Sequence, residues 1–328
     1  MTRSLLNSSL PFGAAALALA LAPAARADDR YAALVIDAHT KEVLHADMAD
    51  EARYPASLTK MMTLYLLFEA IDRGEVRLNE QMVASKRAVA QPPSKLGLRA
   101  GASISVEDAI KALVTKSAND VAVVVAEHLA GSESRFAAQM TARARELGMS
   151  RTRYVNASGL PDSRQQTTAR DVATLSLALQ EDYPQFYGYF QTPGLKWGRT
   201  YAANHNRLLG RVEGVDGIKT GYTRASGFNL ASSVTREGRR IIGVVLGGET
   251  AAARDNQMRY LIEQSFATLY ARSNGSPGGA VTFTSLPTTR VRVDPVTGQA
   301  RVIEAQGDAA GEDVLDRISQ VLQEAEGE

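Results

Sequence analysis

The chain has 328 residues, of which 45% are hydrophobic and 22% are charged, and its formal net charge at pH 7 is +1. This is the composition of an ordinary globular protein with room for one large domain or two moderate ones, and the near-zero charge implies no nucleic-acid partner. The absence of cysteine excludes disulfides, thiol catalysis and cysteine metal sites. The four histidines do not stand at metal-ligand spacing, so we expect no metal and no cofactor.

The first residues have the pattern of an export signal. Arg3 precedes an apolar run from Phe12 to Ala22, and Ala25-Arg26-Ala27 gives a small-x-small pattern before Asp28. The run is short for a membrane span, and an uncleaved N-terminal anchor is the alternative. We expect residues 1–27 to be a cleaved signal peptide and the mature protein to be periplasmic or otherwise extracytoplasmic.

A hairpin and a buried helix follow. Tyr31 to Ile36 and Glu42 to Ala46 predict two strands joined by a turn. The apolar run Met61 to Ile71 predicts a core helix, with Ser57 and Lys60 three residues apart on one face at its start. Serine needs a neighbour that takes its proton, and burial lowers the pKa of a lysine so that it can do so. On this pattern alone, a polar first-turn serine and a solvated lysine remain the alternative.

The middle of the chain predicts helices separated by polar segments. Gln91-Pro92-Pro93-Ser94 indicates an exposed loop or flap, and a helix is expected from Val106 to near Lys116. The island Ser117-Ala118-Asn119-Asp120 precedes the very apolar segment Val121–Leu129. We expect Asn119 or Asp120 to cap the helix that this segment forms.

The rest of the chain alternates helices, loops and strands. The loop from Asn156 to Asp162 carries only a weak functional signal, and the aromatic segment from Tyr183 to Trp197 is expected to cover the core. Further helices are predicted at Phe136–Leu147, Thr168–Leu179 and Asn256–Tyr270. A strand meander is predicted from the segment around Lys219–Tyr222, Phe228–Val234 and Arg240–Leu246. The last part of the chain predicts a linker at Gly275–Gly279, strand-like pieces within Val281–Glu304 and an acidic helix at Glu312–Glu326.

Three motifs occur once each, in the order found in the penicillin-recognising serine enzymes. They are Ser57-Leu58-Thr59-Lys60, Ser117-Ala118-Asn119 and Lys219-Thr220-Gly221. Together with the stretches Tyr54–Thr63, Gln91–Gly97, Thr115–Asp120, Asn156–Asp162 and Gly217–Thr223, they make the chain from about Tyr31 to Tyr270 resemble the low-molecular-mass D-alanyl-D-alanine carboxypeptidases.

The resemblance implies a fold and a domain organisation. The expected fold is of the α+β class, similar to penicillin-binding proteins and β-lactamases. It has an antiparallel five-stranded sheet, made from the N-terminal hairpin and the three late strands, with flanking helices and an all-helical subdomain. Residues 28–274 are the expected catalytic domain, and residues 275–328 a linker and a short tail of unknown role.

The resemblance also implies a reaction. Ser57 attacks the penultimate D-alanine carbonyl of a peptidoglycan stem pentapeptide, so that the terminal D-alanine leaves and an acyl-enzyme remains. Lys60 is the base, Ser117 relays a proton to the leaving amine, and Asn119 holds Lys60 and the substrate amide. Water then deacylates Ser57, and β-lactams are expected to trap the same serine.

Substrate-binding roles follow from the same resemblance. Lys219 and Thr220 meet the terminal carboxylate, and Gly221 permits close approach. The backbone N–H groups of Ser57 and Tyr222 form the oxyanion hole. Several family members have histidine at the position of Tyr222 and glycine at that of Ala118.

Three alternatives stay open or are ranked below the carboxypeptidase. A D,D-endopeptidase that cuts cross-links shares the motifs, and a low-turnover peptidoglycan-binding scaffold could keep the pocket. A β-lactamase ranks lower, because the only Glu-x-x-Leu-Asn string, Glu75 to Asn79, precedes Ser117 instead of following it. The tail after Gly275 is too short for the membrane-associated β-rich domain of many relatives, which argues against membrane attachment.

Overall fold

A five-stranded antiparallel sheet lies at the centre of the computed structural model, which describes residues 30–273 and the backbone of residues 290–293 and 300–304. Its strands are β1 Ala32–Asp37, β2 Val43–Asp47, β7 Val215–Thr223, β8 Gly227–Arg236 and β9 Arg239–Gly248. Two small hairpins add β3 Gln81–Val83, β4 Ser103–Ser105, β5 Gly194–Trp197 and β6 Thr200–Ala203. The strand order of the central sheet is β2-β1-β9-β8-β7, so the N-terminal hairpin pairs with the late meander as predicted.

Helices cover both faces of this sheet. Neighbouring residues of β1 point to opposite faces of the sheet. Leu34 packs on the face that most helices cover, and Val35 packs on the other face, against the last helix. A strand buried on both faces reads as a continuous apolar run, as β1 does. The helices are α1 Thr59–Asp72, α2 Lys86–Val89, α3 Val106–Val114, α4 Asn119–Ala130, α5 Glu133–Glu146, α6 Ala169–Glu181, α7 Pro184–Tyr187 and α8 Ala251–Ser273.

Helix α1 is the buried axis of the larger cluster. It is buried from Thr59 to Ala70, which agrees with the predicted core helix. The aromatic segment covers it as expected, since the ring of Phe68 stacks on Phe186 at 5.1 Å and meets Tyr183 edge-on at 6.3 Å. This packing covers the second half of α1.

The predicted cap of α4 is wrong. The N-cap residue is Ala118, which makes no side-chain capping hydrogen bond. The Asp120 carboxylate accepts from one first-turn N–H, that of Val121, but its other hydrogen bonds come from the backbone N–H groups of residues 96–98. Asp120 therefore holds the loop that precedes β4 against the start of α4.

Several predictions fall on the remaining residues. The export signal at residues 1–27, the linker at Gly275–Gly279 and the helix at Glu312–Glu326 lie outside the described residues. Within the tail, β10 Arg290–Val293 and β11 Ala300–Glu304 pair as an antiparallel hairpin, in the region where short strands were predicted. Within the described residues, no helix has both the length and the apolarity to cross a bilayer.

Candidate active site

Ser57 lies in a tight turn directly before α1. Ala56–Leu58 form a 3-10 helix and α1 begins at Thr59, so Ser57 precedes the α-helix on which the sequence placed it. Ala56 has a positive φ of 48°, which is uncommon for a residue with a side chain. Gly159 lies against this turn, and a Cβ there would be 1.7 Å from the carbonyl oxygen of Ala56. Only glycine allows that approach.

The Lys60 amine is completely buried and contacts three oxygen atoms. Its Nζ lies 3.2 Å from Ser57 Oγ, 2.8 Å from Asn119 Oδ1 and 2.5 Å from the carbonyl oxygen of Ser158. A neutral amine has two N–H groups and one lone pair. The oxygens of Asn119 and Ser158 accept the two N–H groups, and the lone pair is then left for the proton of the Ser57 hydroxyl.

The surroundings of Lys60 favour this neutral form. Burial lowers the pKa of Lys60 well below its usual range, the positive charge of Lys219 lowers it further, and the negative charge of Asp120 opposes the shift. A lysine with a lowered pKa can take a proton at physiological pH. The site therefore brings together a hydroxyl and an amine of lowered pKa, which is the pairing that nucleophilic catalysis needs.

Ser117 and Asn119 lie at the start of α4. Ser117 has a φ of 56°, is 4% exposed, and its hydroxyl has no hydrogen-bond partner among the described residues. Such a conformation is sparsely populated, and a buried free hydroxyl is costly, so both features are typical of functional positions. Asn119 donates from Nδ2 to the Pro92 carbonyl at 2.9 Å, which leaves its second amide hydrogen available to a ligand.

The Gln91–Ser94 segment is anchored to this part of the site. Besides the bond from Asn119 to Pro92, the Asn119 N–H donates to the carbonyl of Ser94 at 2.8 Å, and the Ser94 hydroxyl donates to the carbonyl of Lys116 at 2.8 Å. The segment predicted as an exposed loop or flap thus packs along the Ser117–Asn119 motif.

The Lys219–Gly221 motif lies on β7, an edge strand of the sheet. Lys219 is 1% exposed, and its amine donates to the Thr220 carbonyl at 3.0 Å. Burial, followed by the nearby positive charge of Arg254, lowers the pKa of Lys219 to about 7. A Cβ at Gly221 would lie 3.0 Å from the backbone nitrogen of Ser57, so glycine lets this strand pack against the turn that contains Ser57.

Tyr222 ends the motif at the rim of the strand. Its side chain is 55% exposed and stacks on Phe228 with ring centroids 4.2 Å apart. Alternate backbone groups of an edge strand have no strand partner, and this is compatible with the N–H of Tyr222 facing a ligand.

Two contributors to the site were missed by sequence reasoning. The loop Asn156–Asp162, whose functional signal was weak, supplies the Ser158 carbonyl to Lys60, and its Ala157 carbonyl accepts from Thr63 at 2.7 Å. Asn229 on β8 donates to the carbonyls of Tyr54 and Pro55 at 3.0 and 3.2 Å and so connects the turn that contains Ser57 to the sheet. A backbone acceptor leaves no mark in a sequence, whereas a polar residue inside an apolar strand could have drawn attention to Asn229.

The order and geometry of these motifs can be compared with known proteins. Residues 20–250, more than half of the chain, match the family described as D-alanyl-D-alanine carboxypeptidase. The chain belongs to the D-alanyl-D-alanine carboxypeptidase family. The predicted resemblance and enzyme class, a hydrolase of the serine-type D-Ala-D-Ala carboxypeptidases, are thereby confirmed.

Individual members of the family are similar over most of the chain. It is 33% identical to the D-alanyl-D-alanine carboxypeptidase DacD of Salmonella typhimurium over 81% of this chain and 71% of that protein. A D-alanyl-D-alanine endopeptidase of Escherichia coli strain K12 is more distant, at 29% identity over 70% of this chain and 76% of that protein. The chain spans between 61% and 71% of the length of three carboxypeptidase relatives.

Solved structures of the family share the fold. The carboxypeptidase DacD from Francisella tularensis superposes with a TM-score of 0.70 at 28% identity, covering 75% of this chain and 72% of that one. Penicillin-binding protein D2 from Listeria monocytogenes in its ampicillin-bound form gives a TM-score of 0.63 at 32% identity, covering 72% and 96%. These likenesses confirm the predicted penicillin-binding-protein fold.

Proposed function

We propose that Ser57 and Lys60 catalyse removal of the terminal D-alanine from peptidoglycan stem pentapeptides, through an acyl-enzyme on Ser57. The observation that carries this assignment is the Lys60 amine, fully buried, 3.2 Å from Ser57 Oγ and bonded to Asn119 and Ser158. A peptidoglycan substrate and β-lactam binding agree with the family and with the ampicillin-bound relative.

Acylation begins with proton transfer from Ser57 to Lys60. As Ser57 Oγ bonds to the carbonyl carbon of the penultimate D-alanine, the hydroxyl proton moves to Lys60 Nζ, and the carbonyl oxygen becomes an anion held by the N–H groups of Ser57 and Tyr222. The bond to the terminal D-alanine then breaks. Its nitrogen takes a proton that Lys60 supplies through the Ser117 hydroxyl, and free D-alanine leaves.

Deacylation reuses the same base. Lys60 takes a proton from water as the water oxygen attacks the ester carbon, and Ser57 Oγ leaves with a proton. Throughout, Lys219 and Thr220 hold the substrate carboxylate, since a charged amine beside a carboxylate forms a strong, charge-assisted hydrogen bond.

Penicillin labelling tests the nucleophile directly. The wild-type protein, incubated with penicillin and digested, is expected to carry one penicilloyl group on the peptide that contains Ser57. Ser57→Ala is expected to carry none while keeping the same circular dichroism spectrum. Labelling that survives in Ser57→Ala would mean that another residue is the nucleophile.

Cross-link cleavage is the second candidate activity, because the endopeptidase relative shares 29% identity with the chain. A D,D-endopeptidase would release dimeric muropeptides as monomers, whereas a carboxypeptidase would release D-alanine from monomers. A low-turnover scaffold would do neither and would still be labelled by penicillin. Chromatography of purified monomer and dimer substrates separates the three outcomes.

The cellular location also belongs to this proposal. Residues 1–27 act as a cleaved export signal, residues 28–274 as the catalytic domain, and residues 275–328 as a linker and tail. The pattern around Arg3 and Ala25-Arg26-Ala27 supports the cleavage site. N-terminal sequencing of the exported protein is expected to begin at Asp28, and a protein that retains Met1 would refute the cleavage.

A further inference from the structure

A second concavity adjoins the nucleophile turn. It has a volume of about 200 Å³, which is below the range of whole small-ligand sites and leaves room for a single side chain. Three segments form it, namely the residues before Ser57, the loop after Asn156 and the turn that follows Tyr222. Its lining includes Tyr54, Leu160, Pro161, Asp162, Thr223 and Ala225.

The position of this cavity follows the direction in which the substrate must run. With its carboxylate at Lys219 and its scissile carbonyl beside Gly221, an extended stem peptide continues along β7 past Tyr222 toward Thr223. Strand residues advance about 3.3 Å each, so Lys219 and Thr223 are about 13 Å apart, which matches three extended peptide residues with their terminal carboxylate. The residue that precedes D-Ala-D-Ala therefore lies at the cavity.

The walls of the cavity suit a long aliphatic side chain with a charged end. Leu160, Pro161 and Ala225 supply apolar surface, and Asp162 supplies a carboxylate. Hydrogen bonds from Arg164 lower the pKa of Asp162 to about 2, so the carboxylate is charged at physiological pH. The Arg164 guanidinium is 64% exposed, and a pair this exposed is weak enough for another cation to share or replace it.

The wall that carries Asp162 is held rigid by buried side chains. Gln165 is 2% exposed, and its Oε1 accepts from the N–H groups of Val155 and Asn156. Asn156 Oδ1 in turn accepts from the N–H of Gly159 at 2.7 Å. The same loop supplies the Ser158 carbonyl to Lys60, so a side chain in the cavity contacts the segment that orients the base.

We propose that this cavity binds the side chain of the third stem-peptide residue, and that Asp162 selects a diamino acid by pairing with its distal ammonium group. The proposal rests on the proposed carboxypeptidase function, since it takes the direction of the substrate from that reaction. Asp162 is then a specificity-determining residue outside the three motifs.

Three synthetic peptides that end in D-Ala-D-Ala test this assignment. They differ only at the third residue, which is lysine, Nε-acetyl-lysine or alanine, and D-alanine release gives kcat/KM for each. The lysine peptide is expected to be up to about fivefold better than the acetylated one, because about 1 kcal/mol is the upper end of the effect of a partly exposed charge pair. Acetylation removes the charge and keeps the aliphatic chain.

Asp162→Asn assigns that preference to the carboxylate. It is expected to bring the lysine to acetyl-lysine ratio close to one and to leave kcat/KM for the alanine peptide unchanged. Asp50→Asn is the matched control, because Asp50, like Asp162, pairs with an exposed arginine, here Arg170, and it does not line the cavity. This control is expected to keep the wild-type ratio.

The experiments distinguish a failure of the cavity assignment from a failure of the carboxypeptidase function. Equal kcat/KM for all three peptides in the wild-type enzyme would overturn the cavity assignment and leave the carboxypeptidase function standing. A lysine preference that persists in Asp162→Asn would overturn the role of Asp162. If none of the peptides releases D-alanine, the proposed function fails, and the cavity assignment fails with it.

Discussion

Replacing Lys60 with methionine separates its catalytic role from its structural one. Methionine keeps an unbranched, buried side chain and removes the amine that lies 3.2 Å from Ser57 Oγ. Removal of a general base lowers rates by about 10²- to 10⁴-fold. We therefore expect the rate of penicillin acylation to fall by that factor.

Lys60→Met is expected to lose some stability but to keep its fold. The substitution leaves Asn119 Oδ1 and the Ser158 carbonyl without their donor, at about 1–3 kcal/mol for each unpaired buried group. It also removes the desolvation of a buried amine and its repulsion by Lys219, the two causes that lower the pKa of Lys60, and this offsets part of the loss. A net loss of up to about 3 kcal/mol lowers the Tm of a domain of this size by roughly 6–12 °C.

Stopped-flow acylation with a chromogenic cephalosporin, together with thermal melts, measures both effects. Ser57→Ala is the control, because it removes the nucleophile and leaves the Lys60 amine in place. A Lys60→Met protein that melts cooperatively and acylates within tenfold of the wild-type rate would refute the assignment of Lys60 as the base.

Two further predictions concern pH and the approach of β7. Substrate binding needs a charged Lys219, and the pKa of Lys219 is about 7 instead of its usual 10.5. The value of kcat/KM is therefore expected to fall as the pH rises above about 7. It is also expected to fall at low pH, because Lys60 is then protonated. Lys219→Arg keeps its charge and is expected to move the alkaline limb upward; an unmoved limb in a pH-rate profile would assign that limb elsewhere. Gly221→Ala places a Cβ 3.0 Å from the Ser57 nitrogen at an ordinary φ, so acylation is expected to slow about tenfold or more with a Tm close to wild type. In Gly159→Ala the new Cβ would lie 1.7 Å from the Ala56 oxygen at a φ of +85°, so this variant is expected to lose more thermal stability than Gly221→Ala. Wild-type acylation by Gly221→Ala would contradict the expected clash between β7 and Ser57.

Local patterns explain why much of the fold could be predicted from the sequence. The continuous apolar runs of β1 and α1 predict that these elements are buried. The turn Arg236-Glu237-Gly238, in which Glu237 and Gly238 both have a positive φ, indicates where two strands of the meander are joined. The three motifs add an order along the chain that a family resemblance can use. These signals depend on side-chain types that are neighbours in sequence.

The parts that could not be predicted depend on contacts between distant segments. Lys60 and Ser158 are 98 positions apart, and the acceptor is a main-chain carbonyl, which any residue type could supply. Asp120 could cap a helix or hold a loop with equally good chemistry, and only the position of residues 96–98 in space favours the loop. Local capping rules cannot separate these cases.

Release of D-alanine from a soluble pentapeptide, measured with and without prior penicillin, is the most direct test of the central claim that this site is a D-Ala-D-Ala carboxypeptidase with Ser57 as its nucleophile. The protein from Asp28 onward is expected to release one D-alanine per peptide, and one equivalent of penicillin on Ser57 is expected to abolish the release. Turnover that continues after Ser57 has been fully acylated would contradict the claim, and so would stoichiometric acylation of a protein that never releases D-alanine.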